Sequence, residues 1–306
     1  MPIRERVLVI GAAGMLGHEL MDILSPRWEL TGVDIGEVDI ADKERTAAYI
    51  GALSPHAVVN AAARTDVDGC ESDSEGAFAV NARGAAHVAA ACGSSGSRMI
   101  QISTDYVFDG ITSEPYRESD RPNPQGVYGK SKLAGEEAVE GTLSDSLIVR
   151  TSWLFGRHGK NFVDTILKAA SARSVLEVVG DQYGCPTYAR DLAAAIGALL
   201  ATDCRGIVNV TNSGICSWCE YARAILELAG IAGVRVNEIT SERLSRPAPR
   251  PRFSALDGSR YAGLVGAPLR HWREAVGEYI QKKGTGYFFT SNKAQKGKKG
   301  RTRSHR

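Results

Sequence analysis

Short apolar runs alternate with longer amphipathic segments through the first half of the chain. Five runs have the length and composition of buried strands, at 6–10, 30–33, 57–60, 98–103 and 147–150. Helical spacing of apolar positions fills the intervals between them, near 15–24, 42–52, 74–92 and 127–140. Alternation of this kind is typical of a parallel sheet wrapped by helices. The pattern therefore predicts an α/β fold built on a doubly wound parallel sheet of the Rossmann type.

The second half of the chain is less regular. Its pattern predicts helices near 161–172, 189–201 and 270–282, with strands at 175–179 and 207–210. Three prolines between 246 and 252 exclude a helix there, because each removes a backbone donor and restricts the residue before it.

The order of these elements predicts two interleaved domains. We expect a dinucleotide-binding domain over residues 1–152 and a smaller C-terminal substrate domain mainly over 153–281. The strand at 207–210 is expected to return to the main sheet, so the two domains do not divide cleanly.

Composition is ordinary for an enzyme, but charge is unevenly distributed. The net charge of +2 includes nine lysines and arginines, and no acidic residue, within 282–306, so the rest of the chain carries 28 basic and 35 acidic residues. An acidic body with a basic tail does not fit a nucleic-acid-binding domain, and we expect the tail to be disordered. The longest early apolar run, 7–10, is too short for a signal peptide or a membrane span. We expect a cytoplasmic protein without a specific nucleic acid or membrane partner.

Six cysteines are scattered along the chain without a disulfide framework. Cys216 and Cys219 have CxxC spacing, but no second pair and no paired histidines accompany them. Because Cys219 falls in a helical pattern, we interpret it as a small packing residue and predict no metal site.

A glycine-rich turn follows the first predicted strand and opens the first helix. Gly11, Gly14 and Gly17 leave room for the backbone to approach a pyrophosphate at the positive end of that helix. Asp34 ends the second strand, where a carboxylate can bind an adenosine ribose and disfavours a 2′-phosphate. The turn predicts a dinucleotide site, and Asp34 favours acceptance of NADH; a loop carboxylate is the alternative for Asp34.

A tyrosine and a lysine lie four residues apart on a predicted helix. Tyr128 and Lys132 therefore share one face, and a nearby ammonium lowers the pKa of a phenol. Thr104 ends the fourth strand, at the edge of the sheet where ligands of such folds bind. Together these groups can stabilise and protonate a ketone oxygen as hydride arrives. They predict a hydride-transfer site with Tyr128 as the proton donor.

The glycine turn, Thr104 and the pair of Tyr128 and Lys132, in this order along the chain, resemble the motifs of the extended short-chain dehydrogenase/reductase superfamily. Further blocks resemble, more narrowly, the dTDP-4-dehydrorhamnose reductase family over about residues 6–281. These blocks are Val59–Ala63 with Asp66–Asp68, Ser103–Gly110, Arg150–Trp153, Gly159–Phe162, Asp181–Thr187, Ser217–Trp218 and Arg250–Asp257.

The resemblance implies reduction of the 4-keto group of dTDP-4-dehydro-L-rhamnose to dTDP-L-rhamnose with NADPH or NADH, the last step of dTDP-L-rhamnose biosynthesis. It implies that Tyr128, Lys132 and Thr104 are catalytic. It places the cofactor on Gly11, Gly14, Met15, Leu16, Gly17, Asp34, Asp39, Ile40, Ala63, Arg64, Thr65, Tyr128 and Lys132. It places the dTDP-deoxysugar on Thr104, Asp105 and Trp153, with Asn161 and Arg250 as candidates for holding the diphosphate.

The chain departs from the family pattern at Arg64 and in its basic tail, 282–306. Arg64 stands where the family commonly has an aromatic residue or histidine, so cofactor preference can differ. The resemblance allows magnesium, although no ligand cluster in the sequence requires it. A homodimer is one assembly that we consider.

Three other functions compete with this interpretation. One is a non-catalytic regulatory subunit resembling that of methionine adenosyltransferase. Another is a nucleotide-sugar epimerase, which returns the hydride and keeps its NAD bound. The third is a reductase that acts on another sugar or that delivers hydride to the opposite face of the ketone. Intact Thr104, Tyr128 and Lys132 favour an active enzyme.

Overall fold

The computed structural model describes residues 4–283, so most of the predicted basic tail lies outside the described residues. Between those limits the strands are β1 (Arg6–Ile10), β2 (Glu29–Val33), β3 (Ala57–Asn60), β4 (Arg98–Thr104), β5 (Ser146–Thr151), β6 (Leu154–Phe155), β7 (Val175–Val179), β8 (Tyr183–Gly184), β9 (Thr187–Tyr188), β10 (Gly206–Asn209), β11 (Cys216–Ser217) and β12 (Arg235–Ile239). The α-helices are α1 (Met15–Leu24), α2 (Lys43–Leu53), α3 (Val67–Ser72), α4 (Ser74–Phe78), α5 (Ala85–Ser95), α6 (Val127–Thr142), α7 (Phe162–Ala170), α8 (Ala189–Leu200), α9 (Trp218–Leu228), α10 (Ser259–Val265) and α11 (Trp272–Lys283).

The centre of the fold is a six-stranded parallel sheet in the order β10-β5-β4-β3-β1-β2. Alternate residues of β1 point to opposite faces, as the pleat of a strand requires. Val7 and Val9 pack with α1 and α8, whereas Leu8 and Ile10 pack in a second core with α2 and α5. Helices therefore cover both faces, and the predicted doubly wound parallel sheet is confirmed.

A separate apolar core lies in the second half of the chain. It joins α7, α9 and α11 around aromatic side chains such as Phe155, Tyr188 and Tyr221. β7 and β12 form a small parallel sheet beside this core. The chain returns to the main sheet in β10, which pairs with β5 at the sheet's edge.

One predicted helix differs from its expectation. The segment near 74–92 contains α4, a π-helical turn at Ala79–Gly84, and then α5. Periodicity alone does not reveal this wider turn, whose Asn81 side chain bonds both the backbone of Arg64 and the hydroxyl of Ser131. The turn thereby ties the loop after β3 to helix α6.

Within residues 4–283, no helix has the length and apolar character needed to cross a membrane.

Candidate active site

Two adjoining cavities open at the carboxyl ends of the parallel strands. The first has a volume of about 430 Å³ and contains both the glycine turn and the predicted chemical residues. The second, of about 350 Å³, extends from the same turn toward the end of β2. In the following description these two cavities together are the cleft. Such a position is where open α/β sheets bind their ligands.

The glycine turn leaves no room for side chains. Gly11 has φ +83°, and a Cβ placed on Gly17 would lie 2.1 Å from the Gly11 carbonyl oxygen. Gly14 caps α1 without a side-chain hydrogen bond, so the first amides of the helix stay available to a ligand. A helix N-terminus of this kind attracts anions. The turn therefore fits the pyrophosphate of a dinucleotide, with Met15, Leu16 and the three glycines lining the cleft.

The second cavity carries the acidic residues predicted to meet the adenosine end. Asp34 accepts hydrogen bonds from the backbone amides of Ala13 and Ile35, each at 2.9 Å. Asp39 and Ile40 line the same cavity beside it. This fixed carboxylate at the end of β2 fits a ribose hydroxyl and repels a phosphate.

The loop after β3 borders both cavities. Ala63 and Thr65 line the first one, and Ala63 also lines the second. Arg64 instead turns its guanidinium to Asp73 in an ion pair, while Asn81 bonds its backbone. The unusual residue at position 64 thus contributes its backbone to this loop and directs its charge away from the cleft.

Tyr128, Lys132 and Thr104 line the same cavity. Tyr128 is the second residue of α6, and its ring lies edge-on to that of Tyr106, with centroids 5.6 Å apart. Lys132 is buried one turn further, and its Nζ donates to the Ile102 carbonyl oxygen at 2.6 Å. The structure therefore brings together the proton source, the cation and the hydroxyl donor that the sequence proposed.

The expected effect of Lys132 on Tyr128 is corrected by the structure. Burial raises the pKa of the Tyr128 phenol above its ordinary value, outweighing a hydrogen bond with Thr104 that lowers it. Burial also lowers the pKa of Lys132 to about 8, although the negative charge of Glu136 acts to raise it. The sequence showed the spacing of these groups but not their desolvation. A phenol with a raised pKa is protonated at neutral pH, the form that a proton donor needs.

Asp105 lies beside Thr104 in the wall of the same cavity. It is buried, and Thr104 Oγ1 donates to its Oδ1 at 3.0 Å. Burial raises the pKa of Asp105 to about 7, although hydrogen bonds with Ser254 and Thr104 lower it. Near neutral pH this carboxyl can therefore carry a proton and can either donate or accept a hydrogen bond.

Trp153 and Trp218 both line the first cavity. The sequence argument did not single out Trp218 as a ligand contact. Trp153 has φ +46°, and its indole stacks on that of Trp218, with centroids 3.5 Å apart and planes 6° apart. Trp218 begins α9, which Ser217 and Glu220 cap reciprocally. The stacking partner of Trp153 depends on the pairing of β8 with β11, two segments that are far apart in the sequence.

The structure does not bring Asn161 or Arg250 into the lining of the cleft. Asn161 caps α7, accepting from the Asp164 amide at 2.9 Å and donating to the Gly156 carbonyl at 2.9 Å. Arg250 forms a two-pronged ion pair with Asp68, at 3.0 and 2.8 Å, which lowers the pKa of Asp68. Both side chains thus have partners within the protein. Lys160, which the sequence argument passed over, does line the cleft.

Metal ligands are not clustered in the part of the chain that the structure describes. Residues 4–283 contain no group of three or more histidine, cysteine, aspartate or glutamate side chains placed to hold an ion. The same residues offer free helix amides and hydroxyls to a dinucleotide instead.

Comparisons with known proteins agree with this geometry. A family model described as the RmlD substrate binding domain matches residues 5–284. The chain is 44% identical over 282 residues to the dTDP-4-dehydrorhamnose reductase of Streptomyces griseus, covering 90% of this chain and 93% of that protein. It is 43% identical over 279 residues to the spore coat polysaccharide biosynthesis protein SpsK of Bacillus subtilis, covering 91% and 98%.

A solved structure with the same architecture contains a nicotinamide cofactor. It is the dTDP-4-dehydrorhamnose reductase of Bacillus anthracis in complex with NADP, with a TM-score of 0.88 and 36% identity. The match covers 92% of this chain and all of the other.

Proposed function

The chain belongs to the RmlD substrate binding domain family, and on that premise we propose that it reduces dTDP-4-dehydro-L-rhamnose to dTDP-L-rhamnose with NADPH or NADH. This is the last step of dTDP-L-rhamnose biosynthesis, and the protein is an oxidoreductase. The observation that carries the proposal is one cavity that holds the glycine turn together with Thr104, Tyr128 and Lys132.

The chain's own residues supply the acid chemistry of the reaction. The bound nicotinamide supplies the hydride. Tyr128 donates the proton to the sugar oxygen. The Thr104 hydroxyl, which donates to Asp105 in the structure, turns to donate its one hydrogen bond to the same sugar oxygen as negative charge develops there. Lys132 can reach a cofactor ribose, and its positive charge favours proton release from Tyr128 against the burial that raises the pKa of that phenol.

The remaining sites divide between the two ligands. The glycine turn with Met15 and Leu16 would hold the cofactor, Asp34, Asp39 and Ile40 would hold its adenosine end, and Ala63, Arg64 and Thr65 would complete the cofactor site. Asp105 and Trp153 contact the dTDP-deoxysugar. Residues after 153 provide most of the sugar-nucleotide contacts. The positions of Gly11, Gly14 and Gly17, at which no Cβ fits or the helix amides stay free, support the cofactor assignment.

The proposed reaction also bears on location and assembly. Nicotinamide cofactors and nucleotide-activated sugars are substrates of cytoplasmic metabolism, which supports a cytoplasmic enzyme. The acidic balance of the body of the chain disfavours nucleic acid as a partner. A homodimer is the assembly we propose to test, by light scattering.

A spectrophotometric assay tests the function directly. Purified protein is mixed with dTDP-4-dehydro-L-rhamnose and either NADH or NADPH, and cofactor oxidation is followed. The Tyr128→Phe variant should keep its affinity for the cofactor within about threefold while turnover falls by about 100-fold or more, the size expected for loss of general acid catalysis. Near-normal turnover in that variant contradicts the proposed mechanism.

The alternatives give different results in the same experiment. A regulatory subunit would oxidise neither cofactor with any 4-keto deoxysugar nucleotide. An epimerase would be purified with tightly bound NAD and would show no net oxidation. Turnover with a different 4-keto sugar alone would retain the reductase but change its substrate.

A further inference from the structure

The loop at 156–161 crosses one wall of the cleft and is fixed to helix α1. Arg157 pairs with Glu19 at 3.0 Å and with Asp22 at 2.9 Å, both on α1. The ring of His158 stacks on that of His18, also on α1, with centroids 3.9 Å apart. The two residues that precede Gly159 are therefore held against the helix that begins at the glycine turn.

The same loop packs on the first residue of that helix. A Cβ on Gly156 would lie 3.1 Å from Met15 Cγ, so only a small residue fits between them. Gly159 has φ +76° and lies over the Met15 methyl group, with its Cβ position 3.7 Å from Met15 Cε. At its other end the loop is closed by the hydrogen bond from Asn161 to Gly156. The loop thus lies beside the N-terminus of α1.

Lys160 is the residue of this anchored loop whose charge has no partner. Its side chain is exposed and lines the cleft. Among residues 4–283, no hydrogen bond or ion pair holds its ammonium group. Two other cations already have partners, since Arg157 is paired with Glu19 and Arg250 with Asp68. Lys132 is buried against a carbonyl.

We propose that Lys160 binds a diphosphate group in the cleft. The inference rests on the proposed function, because both ligands of that reaction contain a diphosphate. A helix N-terminus offers only about half a positive charge, so two diphosphates in one cleft need a further cation. An ammonium on a flexible four-carbon stem can reach phosphate oxygens from the loop's fixed backbone. The sequence argument proposed Asn161 and Arg250 for the diphosphate of the sugar nucleotide, and Lys160 is a further candidate that lines the cleft.

The diphosphate can belong either to the cofactor or to the sugar nucleotide, and binding measurements separate the two. Wild type, Lys160→Gln and Lys160→Arg are titrated with NADH and, separately, with dTDP, at low and high salt. The matched control is Lys168→Gln, which removes an exposed lysine of α7 that does not line the cleft. Equal melting temperatures show that the variants are folded.

We expect Lys160→Gln to bind one of the two probes roughly 10-fold more weakly at low salt, the size of one charge-assisted hydrogen bond. The defect should shrink at high salt, and Lys160→Arg should restore most of the affinity. If Lys160→Gln binds only NADH more weakly, Lys160 contacts the diphosphate of the cofactor. If it binds only dTDP more weakly, Lys160 contacts the diphosphate of the sugar nucleotide. If it binds both more weakly, Lys160 lies between the two diphosphates and contacts both.

Affinities of Lys160→Gln within twofold of wild type for both probes overturn the inference. These measurements do not need turnover. A wild-type protein that binds both probes but reduces no sugar would remove the proposed function and leave the role of Lys160 testable. A wild-type protein that binds neither probe overturns both.

Discussion

The guanidinium of Arg150 binds the carboxylate of Glu136 inside the protein, with Nε–Oε1 at 3.0 Å and Nη2–Oε2 at 2.5 Å. The two side chains are 1% and 2% exposed. Ser103 donates a further hydrogen bond to the same carboxylate. Because Glu136 lies one turn beyond Lys132, this pair fixes the helix that carries Tyr128 against β4 and β5.

Removing only one charge of this pair should lower the free energy of unfolding more than removing both charges. Arg150→Met leaves the Glu136 carboxylate buried without its partner, and we expect the free energy of unfolding to fall by about 3–5 kcal/mol. The double variant Arg150→Met/Glu136→Gln should recover part of that loss, because no net charge stays buried. Urea denaturation measures both. A double variant less stable than Arg150→Met would contradict this account.

A second prediction concerns the charge on Lys132. Burial lowers its pKa from 10.5 to about 8. Between these values the unfolded chain binds more protons than the folded one, so this residue makes stability rise with pH across that window. Below pH 8 the lysine is charged in both states, and burying that charge opposes folding. Lys132→Met should therefore stabilise the protein at pH 7 by about 3 kcal/mol, minus the contribution of the lost hydrogen bond to the Ile102 carbonyl.

The measurement compares the unfolding free energy of wild type and Lys132→Met between pH 7 and 10. The advantage of the variant should shrink as the pH rises above 8. The same ionisation predicts that the wild-type kcat/KM falls as the pH passes about 8, because the ammonium is lost. A stability difference that does not change with pH would show that the lysine is not desolvated.

Local patterns predicted the parts of the site that lie close together in the chain. The glycine turn joins one strand to the next helix, and the spacing of Tyr128 and Lys132 is set by one helical turn. The strands of the doubly wound sheet were equally visible, because buried parallel strands are short apolar runs.

The same patterns could not predict contacts between segments that are far apart in the sequence. Arg250 was proposed for a diphosphate, and the sequence did not reveal its pairing with Asp68, which lies 182 residues away. Asn161 was also proposed for the diphosphate, and the structure shows it as the N-cap of α7, a role typical of an asparagine before a helix. The pKa of Tyr128 was expected to fall because spacing reveals a neighbouring charge but not the burial that opposes its effect.

The glycine turn gives a prediction with a close control. A Cβ on Gly17 would lie 2.1 Å from the Gly11 oxygen and 2.6 Å from Ala12 Cα, and backbone atoms cannot move aside without opening the turn. Gly17→Ala should weaken NADH binding by about 10-fold or more and lower stability by about 1–3 kcal/mol, the cost of overpacking. Fluorescence titration and thermal unfolding measure the two effects.

Gly51 in α2 is the control, since nothing lies within 4 Å of its Cβ position. Gly51→Ala should raise stability by about 0.5–1 kcal/mol, because alanine favours a helix, and should leave NADH affinity unchanged. If both alanine variants bound NADH normally, the glycine turn would not be the cofactor site.

The last prediction concerns the stacked indoles of Trp153 and Trp218, which line the first cavity. Trp218 holds Trp153 in a plane 6° from its own, and Trp153 keeps an unusual φ of +46°. Without Trp218 the Trp153 indole loses its stacking partner, so Trp218→Ala should raise KM for the sugar nucleotide. The size should be about 3–10-fold, matching the 0.5–1.5 kcal/mol of an aromatic pair. The Kd for NADH should not change, because Asp34, Asp39 and Ile40 line the second cavity, which neither tryptophan lines.

Trp218→Phe distinguishes stacking from simple loss of volume. Phenylalanine keeps a flat ring against Trp153 and should restore most of the wild-type KM, whereas Trp218→Leu fills space without a ring and should not. Steady-state kinetics with a saturating cofactor gives the KM values, and the quenching of tryptophan fluorescence by dTDP reports binding in the same cavity. A flat aromatic side chain that orients the sugar cannot be replaced by an aliphatic one. Equal KM values for the leucine and phenylalanine variants would therefore mean that the indole pair only fills space in the core.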